Sequence, residues 1–180
     1  MHIISQRDNM GEDIENISFR ELLGYSIKGE EVAHEAYMEI SEKLSGLASD
    51  RFQTLAREEL DHKEKLLRLH EYEFGDKDYV VPEGKNLPPH EGDFINIDTD
   101  EVDSLIRSLE SAIKAEKDAY EMYYRLADRK EKHSELFNYI ALMEKEHQRS
   151  LEEEKELYEN VLEEKDKRED ITIDDLDISR

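Results

Sequence analysis

Two pairs of segments repeat along this chain, and each copy carries acidic residues on an otherwise apolar helical stripe. Residues 26–37, SIKGEEVAHEAY, align with residues 112–123, AIKAEKDAYEMY, so that Glu30 meets Glu116, Ala33 meets Ala119 and Tyr37 meets Tyr123. Residues 52–66, FQTLAREELDHKEKL, align with residues 137–151, FNYIALMEKEHQRSL, bringing Phe52 onto Phe137, Glu59 onto Glu144, His62 onto His147 and Leu66 onto Leu151. The offset is 86 residues for the first pair and 85 for the second. Such a repeat specifies two helical hairpins related by a pseudo-twofold axis and packed face to face.

The helical periodicity begins near Ser18. Leu23, Ile27, Glu30, Ala33, Tyr37, Ile40 and Leu44 recur at steps of three and four, which sets them on one face. Gly46 is expected to end this helix and Ser49 or Asp50 to cap the next, whose inner face reads Phe52, Leu55, Glu59, His62, Leu66 and Leu69 before a stop at Gly75. A third helix is expected from Thr99 to about Asp128, with Leu105 or Ile106, Leu109, Ile113, Glu116, Tyr120 and Tyr123 inward. A fourth runs from about Ser134 to Glu164 with Phe137, Ile140, Glu144, His147, Leu151 and Tyr158 inward. Between the hairpins, residues 75–99 hold all three prolines and short β-type fragments at 79–81 and 94–97, and read as one long crossover. The expected organisation is a flexible arm at 1–17, an all-α bundle at 18–165 and an acidic tail at 166–180.

The net charge of −23 repels phosphate backbones and argues against a nucleic-acid partner, while it attracts divalent cations. The chain has no cysteine, which excludes disulfides, thiolate metal sites and iron–sulfur clusters. No apolar run is long enough to span a membrane, and no N-terminal stretch has the apolar core of a signal peptide, so a cytoplasmic location is expected.

Glu30, Glu59, His62, Glu116, Glu144 and His147 carry the chemistry. A buried unpaired carboxylate costs several kcal/mol, and no Lys or Arg lies on these inner faces to offset it. Four carboxylates and two imidazoles describe a metal site, with four negative charges matching two divalent ions. In Glu-x-x-His the carboxylate can bridge two ions while the imidazole binds one, and the lone Glu on each other helix closes the outer side of each ion. Ions so held lie about 3.5–4 Å apart. Mixed nitrogen and oxygen donors suit Fe or Mn, with Zn as an adventitious occupant.

One Glu-x-x-His is weak in so Glu-rich a chain. Glu31-x-x-His34 is a third match, but Glu31 lies about 100° off the Glu30 stripe and is expected to face solvent. His34 is expected at the surface or an interface, and His2, His70, His90 and His133 at the surface. Tyr37 and Tyr123 follow Glu30 and Glu116 by seven residues on the same face. They are either hydrogen-bond donors to ligand carboxylates or ordinary core aromatics, and Tyr124 replaces Tyr123 if the helix rotates slightly.

The order Glu, Glu-x-x-His, Glu, Glu-x-x-His, with a Tyr after each lone Glu, resembles the ferritin-like superfamily and most closely its rubrerythrin-like diiron domains, over about residues 18–164. The resemblance implies a ferritin-like four-helix bundle with one long crossover between the second and third helices. It implies two iron ions held by Glu30, Glu59, His62, Glu116, Glu144 and His147, and a homodimer. It also implies reduction of hydrogen peroxide, or reaction with oxygen, with electrons from an external donor. The chain departs from that pattern in three ways. It lacks a rubredoxin-like module, its crossover is longer, and Ala119 stands where typical rubrerythrins carry an extra Glu. The nearly symmetric site that results is also compatible with a ferroxidase, a diiron hydroxylase or a non-catalytic metal-binding bundle.

Overall fold

The computed structural model describes residues 17–82, 102–129 and 131–165. The expected acidic tail, the fragment at 94–97 and nearly all of the expected N-terminal arm lie outside them. The chain forms an all-α bundle: α1 (Phe19–Lys43), α2 (Gly46–Phe74), α3 (Val102–Arg129) and α4 (Ser134–Lys165), with a 3-10 turn at Glu131–His133 leading into α4. Backbones approach most extensively within α1–α2 and α3–α4, the two hairpins expected from the repeat. No helix among the described residues is long and apolar enough to cross a membrane.

α1 starts on a capping box. The Ser18 hydroxyl accepts from the Glu21 amide at 3.2 Å, and the Glu21 carboxylate accepts from the Ser18 amide at 2.9 Å. The α1–α2 turn is tighter than the sequence suggests. Gly46 does not close α1; it opens α2 in a positive-φ conformation (60°) after Ser45. Ser49 therefore lies inside α2 rather than capping it, and its hydroxyl donates to the Ser41 carbonyl at 2.8 Å. Gly75 ends α2 as expected, at φ 82°, with its amide on the Glu71 carbonyl at 2.9 Å.

The core is divided. One apolar cluster joins Ala33 and Ile40 of α1, Phe52 and Ala56 of α2, Leu109 and Ala112 of α3 and Leu151 of α4. The other joins Leu23 and Ile27, Leu66 and Leu69, Tyr123 and Leu126, and Phe137 and Ile140. On every helix the candidate site residues fall between a member of one cluster and a member of the other. The polar set thus lies at mid-height, plugged above and below by hydrocarbon, where water is excluded and charge interactions are strong.

The segment after α2 folds back across α1 and forms no strand at 79–81. Arg20 grips Asp76 through 2.8 and 2.9 Å contacts and lies over the Phe74 ring. Tyr79 donates to Glu31 at 2.7 Å, and Lys63 pairs with the same carboxylate at 3.2 Å, so Glu31 is half-buried rather than solvated. His70 is fully buried, its Nδ1 2.8 Å from the Asp76 carbonyl, which corrects its expected surface position. His133 is also drawn in, stacked on Phe19 and 3.1 Å from Glu73. His70 is covered by the chain that turns back after α2, and His133 by the ends of α1 and α2, which periodicity within one helix does not reveal.

Gly24 makes this return possible. A Cβ there would lie 2.1 Å from the Val80 carbonyl oxygen and 2.8 Å from its carbon. Gly24→Ala is expected to push the segment off α1 and cost about 1–3 kcal/mol, lowering the thermal midpoint. An unchanged midpoint in a calorimetric melt would show that the segment yields without cost.

Candidate metal centre

Six side chains meet at mid-bundle, one Glu from α1, one from α3 and a Glu-His pair from each of α2 and α4. Glu30, Glu59, His62, Glu116, Glu144 and His147 are each at most 5% exposed. They form two overlapping groups, Glu30, Glu59, His62 and Glu144, and Glu59, Glu116, Glu144 and His147, with the donor atoms of each within 4.8 Å of one another. Glu59 and Glu144 belong to both. The repeat that aligns Glu30 with Glu116, Glu59 with Glu144 and His62 with His147 exchanges the two groups.

Both imidazoles aim Nδ1 at the carboxylates. His62 Nδ1 lies 3.0 Å from Glu144, 3.2 Å from Glu59 and 3.6 Å from Glu30. His147 Nδ1 lies 2.8 Å from Glu59, 3.3 Å from Glu144 and 3.7 Å from Glu116. The rings face each other with centroids 5.6 Å apart, 24° from parallel. Among the described residues no Lys or Arg lies within ion-pair distance of the six.

The tyrosines cross between hairpins. Tyr37 of α1 donates to Glu116 of α3, and Tyr123 of α3 donates to Glu30 of α1. Both rings are 1% exposed, whereas Tyr124 is 59% exposed and plays no part in the site. Each lone Glu therefore has one oxygen fixed by a tyrosine and the other turned toward a histidine.

Burial, reinforced by the charge of Glu144, pushes Glu30 from the usual 4.5 up to about 8. Burial and Glu59 push Glu116 well above the carboxylate range. Burial alone would lower the imidazoles. Close contacts with Glu144, Glu30 and Glu59 outweigh it for His62, and the charge of Glu59 with contacts to Glu116 and Glu144 outweighs it for His147, so both are raised. Burial would raise Glu59, but His147 and His62 reverse that and hold it far below the ordinary range. Without metal, protons thus supply the positive charge that the carboxylates require.

The residues fit a pair of divalent cations. Glu59 Oε1, Glu116 Oε2, Glu144 Oε1 and His147 Nδ1 are buried polar atoms that complete no hydrogen bond, although several are in close contact. Such orphaned atoms are uncommon in protein interiors and mark a place for an ion. Their oxygen and nitrogen chemistry suits first-row transition ions.

Glu58 is a residue at the centre that the sequence reading omits. It accepts from His147 Nε2 at 3.1 Å, and this bond holds its carboxyl below the usual range. Being off the apolar stripe, it looks like any solvated Glu until α4 is in place. The repeat alone offers a hint, since it sets Met143 opposite Glu58. His34 lies outside the centre, half-buried, with Nδ1 2.7 Å from the Ala56 carbonyl of α2.

The proton load has a sign. Between 4.5 and about 8 folded Glu30 keeps a proton that the unfolded chain has lost, so stability falls as pH rises across that window. Glu116 acts in the same direction, and the stabilisation from His62 and His147 is fully present below 6.5 and lost as pH rises through their raised values. Metal-free protein is expected to melt at lower temperature at the upper end of this window than at the lower, and Glu30→Gln to flatten the trend. Binding of divalent metal is expected to release protons and tighten with pH, as calorimetry in buffers of different ionisation enthalpy would read.

The rubrerythrin family model matches residues 21–169. A solved structure of a hypothetical protein from Pyrococcus furiosus is similar to this chain at 31% identity and a TM-score of 0.69, covering 82% of this chain and 96% of that one. No curated protein matches the chain. The fold is therefore ferritin-like, the buried carboxylate–histidine cluster is of the diiron type, and the chain belongs to the rubrerythrin family.

Proposed function

We propose that this protein is a diiron-carboxylate redox protein that reduces hydrogen peroxide with electrons from an external donor. The observation that carries the proposal is the pair of overlapping donor groups sharing Glu59 and Glu144, with no Lys or Arg among the described residues within ion-pair distance of them. Glu30, Glu59, His62, Glu116, Glu144 and His147 would hold the ions, Glu59 and Glu144 belonging to both donor groups. Reduction of one peroxide to two waters takes two electrons and two protons, and a bound ferrous pair would supply the two electrons, one from each ion. The chain's own part is to hold the donors and exclude water. Tyr37 and Tyr123 fix the outer carboxylates, and the two apolar clusters seal the centre along the bundle axis.

A second reading is ferroxidation, in which Fe(II) is substrate and oxygen the oxidant. Ala119 favours it. That position, one turn after Glu116, packs against the apolar cluster and offers no further carboxylate to the site. The acidic surface would draw Fe(II) toward the protein.

Stopped-flow absorbance separates the two. Protein loaded anaerobically with Fe(II) is mixed with peroxide or with oxygen. Much faster oxidation by peroxide is the expected result, and comparable or faster oxidation by oxygen would move the assignment to ferroxidase. Glu59→Ala and Glu144→Ala should each abolish the oxidation-linked absorbance near the ultraviolet edge. Retention of the signal in both would remove these residues from the site.

A further inference from the structure

The two halves of the centre are related by the repeat, yet the surroundings of their histidines differ. His147 turns Nδ1 to the carboxylates and Nε2 to Glu58, 3.1 Å away, with the histidine side chain 3% exposed and the Glu58 side chain 40% exposed. A carboxylate accepting from Nε2–H fixes that tautomer, leaves the Nδ1 lone pair pointing at the cation position and raises its basicity. His62 contacts its carboxylates through Nδ1 alone. The residue that the repeat sets opposite Glu58 is Met143, whose thioether is a weak acceptor. The edge contact to His62 comes instead from the Tyr139 ring, at 6.4 Å and 89°. A surface cavity of about 330 Å³, lined by Glu58, Met143, Glu146 and His147 among others, opens beside this pair.

We infer that Glu58 is a positioning residue that makes the two metal positions unequal, the one served by His147 binding its ion more tightly than the one served by His62. The inference rests on the dinuclear reading above. It concerns how the chain distributes affinity between two positions and does not depend on which oxidant reacts there.

The test is titration of the metal-free full chain with Co(II), followed by visible absorption and calorimetry. The unaltered chain is expected to take up two Co(II) in steps of unequal affinity. Glu58→Ala should weaken one step about 10–100-fold and leave the other within about twofold. Glu58→Gln, whose carbonyl still accepts from Nε2, should lose less. Glu146→Ala removes an equal charge from the same cavity wall without a contact to His147, and should leave both steps as they were. The inference is overturned if Glu58→Ala leaves both affinities unchanged, if it weakens both alike, or if Glu146→Ala matches it. A chain that takes up no Co(II) would overturn the dinuclear reading and this inference with it, whereas normal uptake with an unaffected Glu58→Ala variant would overturn this inference alone.

Discussion

Everything in this bundle answers to one electrostatic demand: four carboxylates and two imidazoles are held in a core where, among the described residues, no Lys or Arg neutralises them. Isolated charge cannot remain in such a medium. It must be paired, protonated or matched by an ion. The division of the core into two apolar clusters enforces the demand, because each seals one end of the polar layer. Hydrocarbon packing holds the helices together, and the same packing removes the water that would otherwise screen the carboxylates.

The demand is met jointly by both hairpins. Neither contains a complete donor group, since each group draws on residues from α1–α2 and from α3–α4. The tyrosines are shared in the same way, Tyr37 serving Glu116 and Tyr123 serving Glu30. Separating the hairpins would break both tyrosine bonds and split each donor group. The register between hairpins is thus set by directional polar contacts as well as by ridges of Leu and Ile, and buried polar groups of this kind can confer a single docking geometry.

Much of this is legible in the sequence because helical spacing maps residues onto a face. The inward positions of α2 and α4, from Phe52 to Leu69 and from Phe137 to Tyr158, are buried as the three-and-four spacing implies, and the six donors meet where the repeat puts them. The spacing also favours Tyr123 over Tyr124, since one step along a helix turns a side chain by about 100°. The failures have a common cause. His133, Glu31 and Glu58 take their surroundings from segments distant in sequence, and His70 from the turn just after α2, so no pattern within one helix announces them. The α1–α2 turn departs from its expected position for a separate reason. Gly46 at positive φ serves as well to open a helix after a tight turn as to close one, and composition does not distinguish the two.

The joining of two like hairpins on one chain has a consequence for how such a centre can change. In a dimer of identical hairpins, every substitution would strike both halves together. Position 58 and its counterpart would always be the same residue, and the metal environments would remain equivalent. Once the halves are covalently linked, each can drift by itself. Glu at 58 and Met at 143, or Thr at 54 and Tyr at 139, are differences that two hairpins of identical sequence could not hold. Linking the hairpins in one chain lets the two ends of the centre differ while their pseudo-twofold packing stays in place.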